Sequence, residues 1–273
     1  MTGSPFTDAN LVAGALYASA GRLARRTGAL HAAKISGADA TATIVDLAAR
    51  STPAAPVVCD IGCGRGTTTL ALAERLAPAR LIALDRSPAL LAVVAERAGC
   101  AGHTVKTLCA DFHHLPLPES RVDTAVAAFC LYHSPQPERV VAEIARCLAP
   151  AGQAILVTKS AASYHEIDHV IATSGFDPEA TSRPSLYTSF HGDVAAEITG
   201  TALLVEQVVR QRHVFRFDGL NHLATYVATS PKYQLPEHLA GNAAALTEEL
   251  RRRIPDEPVT ATSTISYVVA VKP

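Results

Sequence analysis

The feature that most constrains the fold is a mostly apolar run that leads into three closely spaced glycines. Val57–Ile61 is followed by Gly62, Gly64 and Gly66 at alternate positions, and an apolar pattern with helical spacing then covers Thr67–Leu76. Glycines allow the backbone to pass close to a bound ligand, where a Cβ atom would intrude. The stretch therefore predicts a buried strand, a tight turn and a helix, with a cofactor site at the strand-to-helix junction.

The residue before the glycines indicates which cofactor the turn serves. A dinucleotide site uses G-x-G-x-x-G and a triphosphate site uses G-K-[ST], and neither pattern occurs at this turn. Asp60 lies where a carboxylate repels a pyrophosphate but suits an ammonium group. The pattern Asp60-x-Gly62-x-Gly64-x-Gly66 resembles motif I of the class I S-adenosylmethionine-dependent methyltransferases. The resemblance implies S-adenosylmethionine as the cofactor.

Further strand signals extend this resemblance as far as Lys159. Arg80–Asp85 is a second apolar run that ends in an acid, about twenty residues after the turn, where a carboxylate can accept hydrogen bonds from ribose hydroxyls. Residues 104–112 and 121–129 predict the third and fourth strands, and a fifth strand ends at Lys159 after a helix over 137–148. The order is similar to that family's core. It implies an α/β fold with a doubly wound, Rossmann-like, seven-stranded mostly parallel sheet and a partly helical lid.

The resemblance also implies what each matched residue binds. The matched residues are Asp60, Gly62, Gly64 and Gly66 for the methionine part, Asp85 for the ribose, Asp111 and Phe112 for the adenine, and the backbone near Phe129 for the amino group, with Arg86 as a further cofactor-binding residue. Two alternatives stay open. Asp85 is also typical of a helix start, because Ser87 and Pro88 follow it, and Asp111 is also typical of an exposed loop.

The segments outside this core predict a cap over the site. Residues 1–36 carry scattered apolar positions that predict one or two amphipathic helices, and Pro53 predicts the end of a helix that includes 44–49. Beyond Lys159 we expect helices near 162–174, 191–199, 219–229 and 236–254, and strands over 202–217 and 262–271. The predicted parts are an N-terminal helical cap (1–52), the cofactor-binding α/β core (53–160), and the rest of the core (161–273) with lid insertions at about 161–200 and 218–258.

Methyl transfer depends mainly on alignment, because the sulfonium already carries a good leaving group. A hydroxyl acceptor also needs a base. His133 follows the fourth strand, where open α/β sheets bind ligands, and is the candidate catalytic base, although a structural role is also open. Aromatic and histidine side chains of the cap, the lid and the loop after the fourth strand are candidates for contact with the acceptor. They are Tyr17, Tyr132, His165, Tyr187, His222 and Tyr226.

Composition narrows the classes of partner and compartment. The chain has 273 residues, a formal net charge of −1 and dispersed charges of both signs, so no basic surface for nucleic acid is predicted. The six cysteines fall mostly in apolar patterns, which is typical of reduced thiols and packing residues. The loop 129–132 lacks the carboxylates of a metal-dependent catechol methyltransferase, so no metal is expected. No segment approaches transmembrane length. We expect a cytoplasmic monomer or homodimer, without membrane partners.

These observations predict an enzyme that moves a methyl group from S-adenosylmethionine to a carbon, oxygen or nitrogen of a small organic metabolite, apolar or aromatic in character. Two alternatives stay open. The chain could bind S-adenosylmethionine without methylating, as a binding module or as an enzyme that uses the sulfonium charge to steer a rearrangement. An RNA methyltransferase is the other alternative, but Arg251, Arg252 and Arg253 form a single basic run at a helix end rather than a basic stripe.

Overall fold

The computed structural model describes residues 5–7 and 20–273. The helices in these residues are α1 (Ala20–Ala33), α2 (Ala40–Ala49), α3 (Thr67–Leu76), α4 (Pro88–Cys100), α5 (Pro137–Cys147), α6 (His165–Thr173), α7 (Ala195–Thr199), α8 (Leu220–Val227) and α9 (Ala243–Arg251). The strands are β1 (Lys34–Ser36), β2 (Val57–Ile61), β3 (Arg80–Asp85), β4 (Lys106–Cys109), β5 (Val122–Ala128), β6 (Leu148–Lys159), β7 (Leu204–Phe217) and β8 (Val259–Val271). A short 3-10 turn, Leu131–His133, follows β5.

The strands form one sheet in the order β1-β7-β8-β6-β5-β2-β3-β4. Strands β2 to β6 run parallel, so their carboxyl ends lie along one edge of the sheet, which we call the carboxyl edge. β8 runs antiparallel to β6 and to β7. The predicted α/β class with a mostly parallel sheet is confirmed. Ligands of such sheets bind beyond the carboxyl ends of the strands, so the site is expected at this edge.

The predicted count of seven strands is wrong by one. β1 lies in a segment that was expected to be helical, and it pairs antiparallel with β7 at Phe215 and Val214. β7 has 14 residues, and without β1 its outer edge would present unpaired backbone groups there. The side chain of Ile35 is 62% exposed, so no apolar periodicity marks this strand in the sequence.

Local capping signals set the start of the helices near the carboxyl edge. Ser87 caps α4 by accepting the N–H of Leu90, and Pro88 occupies the first turn of that helix. Asp85 is therefore not the cap of α4, which leaves its carboxylate available for other contacts. Asp39 caps α2 by accepting the N–H of Ala42 at 2.8 Å.

Several predicted elements occur with different ends. Val57–Ile61, Thr67–Leu76 and Arg80–Asp85 have the predicted bounds. α9 begins only at Ala243, because Asn242 caps it by accepting the N–H of Ala245 at 3.1 Å. The helix predicted over 137–148 ends at Cys147, β6 begins at Leu148, and its register with β5 shifts after the pair Val122–Leu148. The helix expected over 191–199 covers only α7.

Segments from both ends of the chain meet over the sheet. α1 packs against α8, and Nε2 of His222 lies 3.1 Å from the carbonyl oxygen of Ala29. Asp168 of α6 pairs with Lys232 and accepts the hydroxyl of Tyr233 at 3.0 Å. α2 packs instead on α3 and β6, and thus covers the sheet as part of the core layer. The division at 52 and 160 stays a prediction.

Candidate cofactor and acceptor site

The glycine turn between β2 and α3 is left-handed at all three glycines, with φ of +65° at Gly62, +55° at Gly64 and +77° at Gly66. A Cβ at Gly62 would lie 2.5 Å from the Cβ of Cys130, so the end of β5 excludes any side chain there. A Cβ at Gly64 would meet nothing within 4 Å, because this glycine faces open space. The turn thus leaves room in front of its backbone for a ligand.

Asp85, the last residue of β3, fastens this turn. Its Oδ2 accepts the N–H of Gly64 at 2.9 Å, and its Oδ1 accepts the N–H of Ser87 at 2.9 Å. Burial raises the pKa of the carboxyl group, and the backbone donors oppose that shift. A carboxylate offers about four acceptor positions. The backbone of Arg86 is a third donor to this carboxylate, and acceptor capacity remains for a ribose hydroxyl.

Asp60 lies beneath the turn rather than at its open face. The side chain is 1% exposed, and Oδ2 accepts the hydroxyl of Thr69 at 2.6 Å. Desolvation by burial, together with the charge of Asp85, raises the pKa of Asp60 to about 7, against the opposing hydrogen bonds from Thr69. Asp60 supports the first turn of α3 from inside. Its contact with an ammonium group stays a prediction.

Asp111 and Phe112 follow β4, on the side of the turn expected for adenine. Oδ1 of Asp111 lies 2.6 Å from Nδ1 of His113, and Nε2 of the same ring lies 2.7 Å from Oγ of Ser134. Burial raises the pKa of Asp111, but the hydrogen bonds from His113 outweigh it and the net shift is downward. Ser134 is fully buried and its Oγ also accepts the N–H of Gln136 at 2.9 Å. This series of hydrogen bonds, from Asp111 through His113 to Ser134, therefore anchors the loop after β5.

Phe129 directly follows β5 and has a left-handed backbone, at a φ of +57°. Its N–H donates to the carbonyl oxygen of Val157 at 2.9 Å, which holds the turn at the carboxyl edge. Left-handed non-glycine residues persist where the surrounding structure enforces them, often beside ligands. Arg86 is exposed next to Asp85, and its charge lowers the pKa of Asp111. The structure thus brings the predicted cofactor residues to one edge, and their binding roles stay predictions.

Five buried rings lie beside this cofactor region and form what we call the aromatic cluster: Phe6, Tyr132, Tyr164, Tyr187 and Tyr226. Ring centroids of Tyr132 lie 5.3 Å from Phe6 and 5.0 Å from Tyr187, and those of Tyr164 and Tyr226 lie 5.9 Å apart. The Nζ atom of Lys159, at the end of β6, lies 4.9 Å from the Tyr164 ring and 5.6 Å from the Tyr187 ring. Lys159 therefore joins the two groups of rings.

His133 lies next to the aromatic cluster but has an anchoring contact of its own. Its Nδ1 lies 3.0 Å from the carbonyl oxygen of Phe6, so Nδ1 carries the proton that it donates. Burial lowers the pKa of His133 to about 4, although the hydrogen bond to Phe6 opposes the shift. The ring is therefore neutral near pH 7. Its role as a catalytic base stays a prediction, and its observed contact ties the N-terminal segment to the loop after β5.

The other acceptor candidates do not all reach this place. Tyr132, Tyr187 and Tyr226 belong to the aromatic cluster, and their contact with an acceptor stays a prediction. His165 does not, because its side chain is 54% exposed at the start of α6 and its Nδ1 lies 3.0 Å from the carbonyl oxygen of Ala162. His222 contacts Ala29 of α1 and so links two lid helices. Tyr17 lies outside the described residues.

Sequence reasoning did not single out Lys159 or His213, whose side chains lie near the rings of Tyr164 and Phe215 respectively. Lys159 is a charged residue at the end of an otherwise apolar strand, which is the signal that could have identified it. His213 lies in the middle of β7. It comes close to the aromatic cluster only because β7 pairs antiparallel with β8. No local pattern marks that position.

The described residues also bear on metal, membrane and thiol predictions. Within 5–7 and 20–273, no three His, Cys, Asp or Glu side chains gather closely enough to hold a metal ion. No helix in this part of the chain combines the length and the apolar character needed to cross a membrane. All six cysteines are free thiols, and Cys59 and Cys63 are buried packing residues, as predicted.

Comparison with known proteins matches residues 59–156 to a family model described as a methyltransferase domain. This segment runs from β2 to β6 and contains the glycine turn, Asp85 and Asp111. The prediction of a class I S-adenosylmethionine-dependent methyltransferase is thereby confirmed at the level of the domain.

Two curated relatives and one solved structure illustrate the likeness. A malonyl-[acyl-carrier protein] O-methyltransferase of Alcanivorax borkumensis is 34% identical over 127 residues, which cover 46% of this chain and 43% of the relative. A demethylmenaquinone methyltransferase of Thermus thermophilus is 32% identical over 113 residues, which cover 41% of this chain and 50% of the relative. The chain thus spans half or less of these relatives. A putative methyltransferase from Bacillus halodurans shares the fold, with a TM-score of 0.61 and 17% identity over 86% of this chain and 99% of that one.

Proposed function

We propose, from the premise that residues 59–156 are a class I S-adenosylmethionine-dependent methyltransferase domain, that the chain methylates a small organic molecule with an apolar or aromatic body. The acceptor atom is a carbon, oxygen or nitrogen. The observation that carries this proposal is the open glycine turn, fastened by Asp85, directly beside the buried aromatic cluster. The turn suits the cofactor, and the rings suit the body of the acceptor.

The residues at the carboxyl edge fit S-adenosylmethionine. The open space at Gly64 accommodates a ligand against the backbone, and Asp85 keeps acceptor capacity for a ribose hydroxyl. Asp111 is 47% exposed, so its carboxylate is accessible to the amino group of an adenine, and Phe112 offers an apolar side for the ring. We assign the methionine part to the turn that begins at Gly62.

When bound, S-adenosylmethionine supplies an electrophilic methyl group on a positively charged sulfur, and it leaves as a neutral thioether. The contribution of this chain is to align the acceptor and to exclude competing water, for which Tyr132, Tyr187 and Tyr226 are suited because they are buried. His133 is a weak base at neutral pH, since its pKa lies at about 4. The site therefore suits acceptors that are already ionised or intrinsically nucleophilic.

The relatives support a small organic acceptor. The Alcanivorax borkumensis protein is named for malonyl-[acyl-carrier protein] and the Thermus thermophilus protein for demethylmenaquinone. Neither name transfers to this chain, because the matched part is mainly the cofactor-binding domain. The residues outside the cofactor-binding domain determine the acceptor.

The proposal is tested in two steps. Calorimetric titration with S-adenosylhomocysteine should show binding that Asp85→Ala weakens by about tenfold or more, because hydrogen bonds to a charged group are lost. Incubation with methyl-labelled S-adenosylmethionine and a library of small metabolites should then move the label to a low-mass product, with one S-adenosylhomocysteine formed per methyl group. Absence of binding would refute the proposal. Binding with the cofactor returned intact for every acceptor would support the non-methylating alternative instead.

A further inference from the structure

Lys159 occupies a position from which it can meet the acceptor. It is the last residue of β6, half-buried at the carboxyl edge, and its Nζ donates to the hydroxyl of Tyr164 at 2.9 Å. The rings of Phe129, Tyr164 and Tyr187 surround the ammonium group at 5.6, 4.9 and 5.6 Å. β5 separates β6 from β2, so Lys159 lies about two strand spacings, roughly 10 Å, from the glycine turn.

The charge of Lys159 lacks a counter-ion among the described residues. No Asp or Glu in this part of the chain forms an ion pair with it. Two other shielded cations differ in this respect, since Lys232 pairs with Asp168 and Arg183 pairs with Asp177. A cation taken out of water is costly unless an anion and hydrogen bonds compensate it, and aromatic faces compensate only in part. The surroundings of Lys159 therefore favour an anionic ligand.

A second polar group of the same region also lacks a partner. His213 is 1% exposed, and its Nε2 has no hydrogen-bond partner among the described residues. Its ring stacks near Phe215, which contacts the Tyr164 ring at a centroid distance of 5.3 Å. Burial, and then the charges of Lys34 and Lys159, lower the pKa of His213 to about 4, so the ring is neutral. A buried nitrogen without a partner is uncommon in folded proteins and points to a polar ligand.

The backbone around Lys159 is held in place. Phe129 and Tyr164, whose rings flank the ammonium group, are both left-handed, with φ of +57° and +68°. The N–H of Tyr164 donates to the carbonyl oxygen of Thr262 at 2.8 Å, and β8 thereby fixes the turn into α6. Such conformations cost free energy and persist where the fold enforces them. The ammonium group is thus presented by a fixed frame.

We propose that Lys159 binds an anionic oxygen group, a carboxylate or a phenolate, on the methyl acceptor. This inference rests on the proposed function and names the class of substrate for it. The acceptor's charge compensates Lys159, the aromatic cluster covers its apolar body, and a protonated amine is repelled. The acceptor class is therefore a small apolar or aromatic acid.

The test uses matched probe pairs that differ in charge. Calorimetric titrations of the full chain, loaded with S-adenosylhomocysteine, compare 3-phenylpropanoate with 3-phenylpropanamide, and 4-nitrophenolate with 4-nitroanisole. At least one anion should bind about tenfold or more tightly than its neutral partner, because a charge-assisted hydrogen bond forms only with the anion. Lys159→Met should abolish that preference and Lys159→Arg should retain part of it. Lys106→Met is the control, since it removes an exposed lysine at the start of β4, on the opposite edge.

The same titrations separate the two proposals. Binding of S-adenosylhomocysteine by the unmodified chain tests the proposed function alone. Lys159→Met should leave that affinity within about twofold. A loss of cofactor affinity of about tenfold in Lys159→Met, with its thermal unfolding unchanged, would make the cofactor carboxylate the partner and would overturn the inference. Equal binding of both members of each pair, or no binding of either anion, would also overturn it. Lys159→Arg is the control that separates loss of the charge from misfolding, because this variant keeps the charge.

Discussion

The cofactor half and the acceptor half of the carboxyl edge are built from different kinds of contact. In the cofactor half, backbone N–H groups close in sequence to the turn and to β3 satisfy the carboxylate of Asp85. In the acceptor half, contacts join distant segments, as between His133 and Phe6 or between Tyr164 and Phe215. Local backbone geometry is thus sufficient to specify a cofactor. An acceptor site depends on packing that only the whole fold provides.

The largest effect is expected from Gly62→Ala, which tests the local geometry of the cofactor half. The new Cβ would lie 2.5 Å from Cys130 at a φ of +65°, so overpacking and backbone strain should lower the free energy of unfolding by about 3 kcal/mol. Binding of S-adenosylhomocysteine should be lost. Gly28→Ala is the control, because a Cβ there meets nothing and should stabilise α1 by about 0.5–1 kcal/mol. Denaturant unfolding of both variants measures the contrast, and equal stabilities would contradict it.

Asp85→Asn should weaken the binding of S-adenosylhomocysteine by about ten- to a hundredfold, because charge-assisted hydrogen bonds to the ribose are lost. The matched control is Asp123→Asn, whose carboxylate accepts the N–H of Val57 at 2.7 Å on the opposite edge of the sheet. That change should lower stability by about 1 kcal/mol and leave the affinity within about twofold. Calorimetric titration of both variants with S-adenosylhomocysteine measures the two affinities. Equal losses of affinity would show that Asp85 acts only through the fold.

Asp60→Asn should change how stability depends on pH. The pKa of Asp60 is about 7 in the folded chain against an ordinary value of 3.8, so the unfolded chain releases this proton first. Its contribution to stability is fully present below the ordinary pKa and is lost as pH rises toward the folded value. The variant should therefore gain about 2 kcal/mol over the unmodified chain between pH 5 and pH 7. Denaturant unfolding across that range measures it, and a constant difference would refute the buried ionisation.

The smallest effect on cofactor affinity is expected in the acceptor half. Tyr187→Leu removes a ring from the aromatic cluster, so methyl transfer to an acceptor should slow by about tenfold while S-adenosylhomocysteine affinity stays within about twofold. Tyr267→Leu is the control, because Tyr267 is fully buried in a different core cluster and its hydroxyl donates to Gln211. It should lower stability alone. A loss of cofactor affinity in Tyr187→Leu would contradict the separation of the cofactor half from the acceptor half.

The same division explains what the sequence could predict. Val57–Ile61, Thr67–Leu76 and Arg80–Asp85 have the predicted bounds, because apolar periodicity and glycine spacing are local signals. β1 escaped prediction because its exposed Ile35 leaves no pattern, and its pairing depends on the uncovered edge of β7. The contact of His165 with an acceptor stays a prediction, since helix position alone does not tell which face meets the site and its side chain is exposed.

The residues that carry the acceptor proposal were the least predictable. Lys159 and His213 are more than fifty positions apart in the chain, and only the pairing of β6, β8 and β7 brings their strands together. Neither belongs to a motif. Charge balance and hydrogen-bond satisfaction, which require the folded arrangement, identify them.

A crystal structure of the chain with S-adenosylhomocysteine tests the central claim most directly. The account predicts ribose hydroxyls within hydrogen-bond distance of the Asp85 carboxylate, adenine beside Phe112, and the sulfur directed toward the aromatic cluster and Lys159. A ligand that leaves Asp85 bonded only to Gly64 and Ser87, or whose sulfur faces away from Lys159, would contradict it.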